Sequence, residues 1–252
     1  MTRTSNRAQL HLEHRTRTAR PGCPALVPYD VPVRRFDLVI FDCDGVLVDS
    51  ERLIVGLEAE IFRERGWPLT EDDIIREFVG LSDSAMRARL SELVGEELAD
   101  DWDAEYTDRY RRTLAENVEA VAGVAAAIDI IERAGLATCV ASSGSHHKMA
   151  LTLGTTGLLS RFEGRIFSST DPEVERGKPA PDLFLHAAAR IGVAPDRCAV
   201  VEDSPFGLIA ALDAGMSAFG FAGGVTPTHR LAIRGVTIFD SMTDLPPLVT
   251  ST

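Results

Sequence analysis

One stretch constrains the fold of this chain more than any other, and it reads Phe-Asp-Leu-Val-Ile-Phe-Asp-Cys-Asp-Gly-Val-Leu-Val-Asp-Ser over positions 36–50. Its apolar run, residues 38–41, is typical of a short strand that is buried on both faces. Asp42 and Asp44 follow where that strand would emerge. Because ionised carboxylates are not buried without a partner, this pair implies a cation. Gly45 permits the sharp or left-handed turn that would fold the chain back over such a site.

This stretch leaves two interpretations open. In the first, a carboxylate acts as a metal-assisted nucleophile beside a second carboxylate that serves as an acid and base. In the second, the aspartates belong to an ordinary acidic turn after a strand. Short motifs of this kind match by chance often enough that the rest of the chain has to decide between them.

Composition excludes several classes of protein. The chain has 252 residues, of which 45% are hydrophobic and 25% charged, which is enough for one large domain or two small ones with a sizeable core. A net charge of −12 argues against a nucleic-acid-binding surface. No apolar stretch approaches the roughly 20 residues that span a bilayer. We therefore expect neither nucleic acid nor a membrane as a partner. For the oligomeric state, we expect a monomer or a weak dimer.

The cysteines point to a reducing environment. Their positions are 23, 43, 139 and 198, and they form no Cys-X-X-Cys pair. Cys139 and Cys198 lie in or beside apolar runs, which favours buried free thiols. We expect a cytoplasmic protein. Cys43 lies between Asp42 and Asp44, whose charges would raise its pKa, so a nucleophilic role for this thiol is disfavoured.

Residues 1–35 differ in character from the rest of the chain. They are rich in arginine, threonine and proline, poor in acids, and without apolar periodicity. An Arg-rich, acid-poor start can be a transit peptide, but the segment lacks an amphipathic stripe. We expect a basic, disordered N-terminal extension.

The first strand is followed by a long helical interval. Asp49 or Ser50 is a good N-cap for a helix that runs to about Arg65, where Gly66 and Pro68 end it. Further helical patterns cover residues 71–79, 84–94 and 101–116, and no convincing strand pattern lies among them. The strand pattern that opens at residue 36 is thus interrupted by a helical insert.

Strand patterns then alternate with helical ones. The strand-like runs are residues 136–141, 165–168, 198–201, 217–221 and 236–239, and the helical runs are residues 125–134, 147–152 and beyond, 181–191 and 206–214. This alternation predicts a parallel sheet covered on both faces. Ligands bind such sheets at the carboxyl ends of the strands. Asp42, Ser142 and the pair Glu202-Asp203 each follow a strand, so we expect them at one edge.

Four motifs in one order resemble the haloacid dehalogenase superfamily. They are Asp-Cys-Asp-Gly from position 42, Ser142 after a strand, Lys178 in Gly-Lys-Pro-Ala-Pro-Asp, and Glu202-Asp203. The resemblance runs from about residue 36 to residue 224. It implies an α/β fold with a Rossmann-like parallel sheet core, helices on both faces and an inserted α-helical cap domain. The core would be residues 36–49 and 118–252, and the cap residues 50–117.

The resemblance also implies a role for each motif. Asp42 would be the nucleophile that forms an aspartyl-phosphate, and Asp44 the acid and base. Ser142, Ser143 and Lys178 would bind the phosphate group. Mg²⁺ would be held by Asp42, the backbone carbonyl of Asp44 and Asp203, with Glu202 a direct or water-mediated neighbour. The cap, hinged near residues 49–50 and 117–121, would close over the site.

Single positions separate the activities of this superfamily. Dehalogenases lack the second aspartate, which is Asp44 here, and phosphonate hydrolases need a cap lysine, which residues 50–117 lack. The motifs are similar to those of the branch that holds β-phosphoglucomutase and the sugar-phosphate phosphatases. At the positions of the mutase's cap arginine and histidine this chain has Asp83 and Ile54. We therefore predict a phosphatase acting on a small sugar or sugar-acid phosphate, with a sugar phosphomutase as the alternative.

A signalling receiver domain is the third hypothesis, since it also combines an aspartate, Mg²⁺, a hydroxyl group and a lysine. In receivers the acidic pair precedes the phosphorylated aspartate. Here Asp42 comes first and Glu202-Asp203 comes late. The order of the motifs argues against a receiver domain.

Overall fold

Six strands pair side by side into one parallel sheet. They are β1 (Leu38–Phe41), β2 (Ala137–Ser142), β3 (Ile166–Ser168), β4 (Cys198–Glu202), β5 (Ser217–Phe221) and β6 (Val236–Phe239). The chain was studied as a computed structural model that describes residues 34–79, 83–95 and 100–251. The strand order is β3-β2-β1-β4-β5-β6, with every pair parallel.

Ten helices are described around and beside this sheet. They are α1 (Ser50–Glu64), α2 (Glu71–Glu77), α3 (Asp83–Val94), α4 (Asp100–Asn117), α5 (Val124–Arg133), α6 (His146–Thr155), α7 (Asp182–Ile191), α8 (Pro205–Asp213), α9 (Thr228–Leu231) and α10 (Leu245–Thr250). Short 3₁₀ helices cover Leu159–Phe162 and Pro195–Arg197.

The central strand separates two hydrophobic layers. Side chains alternate between the two faces of a strand, so β1 contributes to both layers. Val39 and Phe41 pack in a cluster with residues of α5, α6 and α10. Leu38 and Ile40 pack in a second cluster with residues of α7 and α8. The predicted α/β fold, a parallel sheet with helices on both faces, is confirmed.

Helices α1 to α4 have a hydrophobic cluster of their own. Phe62 on α1 packs against Ile74 on α2, Leu90 on α3 and Phe78, all of them buried. Thr70 begins α2 with a reciprocal pair of hydrogen bonds to Asp73, which satisfies the free amide groups of the first turn. Among the described residues of the interval 50–117, none lies in a strand. Its assignment as a separate cap domain stays a prediction.

The chain leaves the sheet and returns to it at adjacent points. The Asp49 amide donates to the Glu119 carbonyl at 2.9 Å, and the Val121 amide donates to the Leu47 carbonyl at 3.0 Å. These are the two segments that the sequence suggested as hinges. The helical interval therefore begins and ends at one place on the sheet.

Some local expectations differ from the structure. Asp49 holds the N-cap position of α1 but makes no side-chain cap bond, because its carboxylate pairs with Arg52. Helices α9 and α10 were not predicted. The predicted N-terminal extension falls almost wholly on residues 1–33, which lie outside the described residues. Within the described part of the chain, no helix has the length and apolar character needed to cross a membrane.

Candidate active site

The turn after β1 places the first two aspartates at the carboxyl edge of the sheet. The Asp42 amide donates to the Val201 carbonyl at 2.9 Å, so the nucleophile candidate is held beside the end of β4. The chain then reverses through Gly45, whose φ is +72°. A Cβ atom at Gly45 would stand 1.9 Å from Asp203 Oδ2. Two distant motifs therefore meet at a point where only glycine fits.

Lys178 lies between two carboxylates. Its Nζ is 2.5 Å from Asp42 Oδ1 and 2.7 Å from Glu202 Oε1, and its side chain is 6% exposed. Burial raises the pKa of Asp42 to about 7, against the lowering effect of Lys178. Burial would lower the pKa of Lys178, but Asp42 and Glu202 raise it above its usual value. The lysine is thus a permanent cation beside Asp42.

Glu202 has both carboxylate oxygens occupied by protein groups. Oε1 binds Lys178, and Oε2 accepts from the amide and hydroxyl of Ser204, each at 2.8 Å. Ser204 in turn caps α8. Gly207, in the first turn of α8, would place a Cβ atom 1.8 Å from Glu202 Oε1. Glu202 is therefore fixed in one orientation, in which it holds Lys178 in place.

The two serines after β2 have different surroundings. Ser142 is buried, with 1% exposure, and its hydroxyl accepts from the Gly144 amide at 3.1 Å. Ser143 is exposed, and its carbonyl accepts from the Ser169 hydroxyl at 2.9 Å. Ser142 lies at the same sheet edge as Asp42, because β2 and β1 are parallel neighbours. Ser143 has an exposed position in the following loop.

Asp203 lies against a carboxylate that the sequence did not single out. Burial, together with the nearby charge of Glu51, raises the pKa of Asp203 well above its usual value. Asp203 Oδ2 and Glu51 Oε2 are shielded from solvent and have no hydrogen-bond partner among the residues that the structure describes. Burial raises the pKa of Glu51 to about 7. These orphaned oxygens fit a cation, which would satisfy them and separate the two negative groups.

A metal ion bound near Asp203 would have few side-chain ligands. Among the described residues, no group of three or more His, Cys, Asp or Glu side chains is arranged to hold a metal ion. The predicted set consists of the side chains of Asp42 and Asp203 and the Asp44 backbone carbonyl, with Glu202 as a direct or water-mediated neighbour. Mg²⁺ commonly binds through one or two carboxylates and takes its other ligands from water and phosphate. The donor groups present therefore suit that kind of site.

Asp44 is held on both oxygens. Ser50 donates to Oδ1 at 2.6 Å, and Lys148 Nζ lies 2.9 Å from Oδ2. Ser50, Lys148 and Glu51 were not predicted as members of this site. For Lys148 a signal was present, because Lys148 and Lys178 are the only lysines in the sequence. For Ser50 and Glu51, which begin α1, no spacing rule distinguishes a helix start from a site residue.

The sheet order, the acidic turn after β1 and the buried lysine together define a class of hydrolase with a Rossmann-like core. Residues 36–215 match the family model described as a haloacid dehalogenase-like hydrolase, and the chain belongs to this family. The predicted superfamily is confirmed.

Comparison with individual proteins narrows the kind of enzyme within this family. It is 32% identical over 217 residues to 6-phosphogluconate phosphatase from Escherichia coli (strain K12), covering 85% of this chain and 95% of the relative. It is 31% identical over 178 residues to hexitol phosphatase A from the same organism, covering 70% and 78%. A solved HAD family hydrolase from Deinococcus radiodurans R1 with bound phosphate and sodium is 28% identical, with a TM-score of 0.75 and coverage of 86% and 96%. These relatives agree with the predicted branch of sugar-phosphate enzymes.

Proposed function

We propose that this protein is a Mg²⁺-dependent phosphatase that hydrolyses a small sugar or sugar-acid phosphate through an aspartyl-phosphate on Asp42. The observation that carries the proposal is the buried Lys178 between Asp42 and Glu202, in a site where Asp203 also has a buried oxygen without a partner among the described residues. A permanent cation and a second cation site beside one carboxylate suit the attack of that carboxylate on a phosphate dianion. The phosphatase names of the relatives support the same class of reaction.

In the first step an oxygen of Asp42 attacks phosphorus and the ester P–O bond breaks. Asp44 gives its proton to the departing alkoxide oxygen. In the second step Asp44 takes a proton from water, whose oxygen attacks phosphorus and releases phosphate and the Asp42 carboxylate. Ser142 donates a hydrogen bond to a phosphate oxygen, and Lys178 neutralises charge on the transferring group.

A bound Mg²⁺ would supply positive charge that reduces the repulsion between the phosphate dianion and the two aspartates. Asp42, Asp203 and the Asp44 backbone carbonyl would hold it. Glu202 was predicted to contact the metal either directly or through a water molecule. Because both of its oxygens already have protein partners, we propose the contact through water. Ser143, exposed in the loop after β2, stays a predicted phosphate-binding residue.

A sugar phosphomutase is the second candidate, because it would use the same core residues. The position of the mutase histidine is Ile54 here, whose apolar side chain can neither bind nor transfer a proton. This position favours the phosphatase. A mutase would need a bisphosphate activator and would release little phosphate.

The test is a phosphate-release screen over sugar, polyol and sugar-acid phosphates, with Mg²⁺ and with excess EDTA. We expect turnover with Mg²⁺ and none with EDTA. Asp42→Asn should lower turnover at least about 1,000-fold, as expected for loss of a nucleophile, while circular dichroism stays unchanged. Appreciable turnover by Asp42→Asn would contradict the nucleophile assignment, and isomerised product without phosphate release would favour the mutase.

A further inference from the structure

The use of lysine in this chain is selective. The sequence has 26 basic residues, of which only Lys148 and Lys178 are lysines and all others are arginines. Lys178 contacts Asp42, and Lys148 contacts Asp44. Each lysine thus binds one of the two aspartates of the first motif.

An ammonium group suits the space around Asp44 better than a guanidinium group does. Lys148 Nζ lies 2.9 Å from Asp44 Oδ2. A Cβ atom on Gly144 would stand 3.5 Å from both Asp44 Oδ2 and Lys148 Cδ, so the loop backbone passes close to this pair. Lysine presents a compact point charge, whereas arginine presents a larger planar fork.

The second oxygen of Asp44 is bound by a different element. Ser50, the first residue of α1, donates to Oδ1 at 2.6 Å. The carboxylate is therefore held from opposite ends by α1 and α6, and its orientation is set by protein groups before any substrate arrives. The Lys148 backbone is itself anchored, because its amide donates to the Ser145 hydroxyl that caps α6.

The ammonium group also contacts the helical insert. Lys148 Nζ lies 5.6 Å from the centre of the Tyr110 ring, within the range of a cation–π contact. Tyr110 belongs to α4, the last helix before the chain returns to the sheet. Lys148 is thus the link between Asp44 and that helix.

We propose that Lys148 is a positioning residue, which holds Asp44 in the orientation for protonating the leaving oxygen. Through its contact with the Tyr110 ring, it also couples that orientation to the position of Tyr110 on α4. The proposal rests on the phosphatase function proposed above. Lys148 forms no bond with the substrate in this role and transfers no proton. Its effect reaches the reaction only through Asp44.

Leaving-group dependence tests this role. Esters of a polyol need a proton on the departing oxygen, whereas 4-nitrophenyl phosphate has a leaving group that departs with little help. We expect Lys148→Met to lower kcat/KM for a hexitol phosphate about 10- to 100-fold, a part of the total contribution of a general acid. The loss for 4-nitrophenyl phosphate should be about threefold or less, since protonation matters little there. Lys148→Arg should retain only part of the kcat/KM that Lys148→Met loses on the hexitol phosphate.

The Tyr110 contact is tested by a double-variant cycle. Tyr110→Leu should lower kcat/KM for the hexitol phosphate about 3- to 10-fold, and the double variant should be no worse than Lys148→Met, because the two residues act through one group. Arg112→Met is the matched control, since it removes an exposed cation of α4 that pairs with Asp108. It should change neither substrate's kcat/KM.

Several outcomes would overturn the proposal. They are an equal loss on both esters, a loss confined to KM, full rescue by arginine, or additive effects of the Lys148 and Tyr110 variants. A loss confined to KM would identify Lys148 as a substrate-binding cation instead. Asp44→Asn separates this result from the function itself. If Asp44→Asn loses more kcat/KM on the hexitol phosphate than on 4-nitrophenyl phosphate and Lys148→Met does not, only the role of Lys148 is contradicted. An inactive wild-type protein would contradict the phosphatase function itself.

Discussion

Gly45 is the residue on which the meeting of the first and last motifs depends. Its φ of +72° disfavours any side chain, and the space of a Cβ atom is taken by Asp203 at 1.9 Å. We expect Gly45→Ala to lower the free energy of unfolding by about 1–3 kcal/mol, the usual cost of such backbone strain, and to displace Asp203. Gly56→Ala is the control, because no atom of the described residues lies within 4 Å of its Cβ position in α1. Urea denaturation of both variants checks this, and equal stabilities would contradict it.

At the residue scale, the sequence predicted the candidates that follow strands and missed those that begin helices. Asp42 and Glu202, which both follow strands, do lie close together, since each contacts the Nζ of Lys178. Lys178 itself follows no strand, and its place in the site was predicted from the resemblance. Ser50 and Glu51 begin α1, where serine and glutamate are common for capping and dipole reasons alone. Only coordinates reveal that they face Asp44 and Asp203.

At the scale of the element, the short apolar strands were predicted within one or two residues. The helices α9 and α10 were not, because α9 has only four residues and α10 has two consecutive prolines, Pro246 and Pro247, in its first turn. Proline is tolerated in a first helical turn, where its missing amide has no partner to bond. A pattern search that treats proline as a breaker therefore overlooks this type of helix.

Helix α1 has a buried carboxyl group that makes the stability of the helical insert depend on pH. Glu58 is 6% exposed and accepts from the Tyr106 hydroxyl at 2.6 Å, and burial raises its pKa to about 7. Because the pKa of Glu58 is higher in the folded chain than in the unfolded chain, the folded chain binds one proton more between about pH 4.5 and 7. Stability from this group is therefore complete below pH 4.5 and is lost as the pH rises to about 7.

Replacing Glu58 with glutamine should remove this dependence. We expect Glu58→Gln to be more stable than wild type at pH 8, by up to about 3 kcal/mol on the pKa difference, and close to wild type at pH 4.5. Glutamine still accepts the Tyr106 hydrogen bond. Urea titrations at the two pH values measure the difference, and Glu60→Gln, at a more exposed position of the same helix, is the control. A variant that loses stability equally at both values would show that the carboxyl group is not the cause.

At the scale of the whole molecule, the site has more negative than positive charge. Five carboxylates, those of residues 42, 44, 51, 202 and 203, lie near the two lysines in the described part of the chain. Such an excess stores unfavourable free energy that a divalent cation relieves. The molecule should therefore be more stable with Mg²⁺ than without it. Its oligomeric state and cytoplasmic location stay predictions.

The size of this effect follows from binding linkage. At 100 times the dissociation constant, Mg²⁺ should add about 2.7 kcal/mol, which raises Tm by roughly 5–10 °C for a chain of this size. Thermal unfolding followed by circular dichroism in Mg²⁺ and in EDTA measures the shift. Asp203→Asn should reduce the shift and should melt higher than wild type in EDTA. A wild-type Tm that is insensitive to Mg²⁺ would contradict the cation site.

The hydrogen bonds from Asp49 to Glu119 and from Val121 to Leu47 have a consequence for how such enzymes diversify. Because both ends of the inserted segment are tied to each other, its length and helix content can change without moving β1 or the acidic turn behind it. New substrate preferences can thus arise by exchanging one continuous stretch of sequence, while the machinery for phosphorus chemistry is inherited untouched.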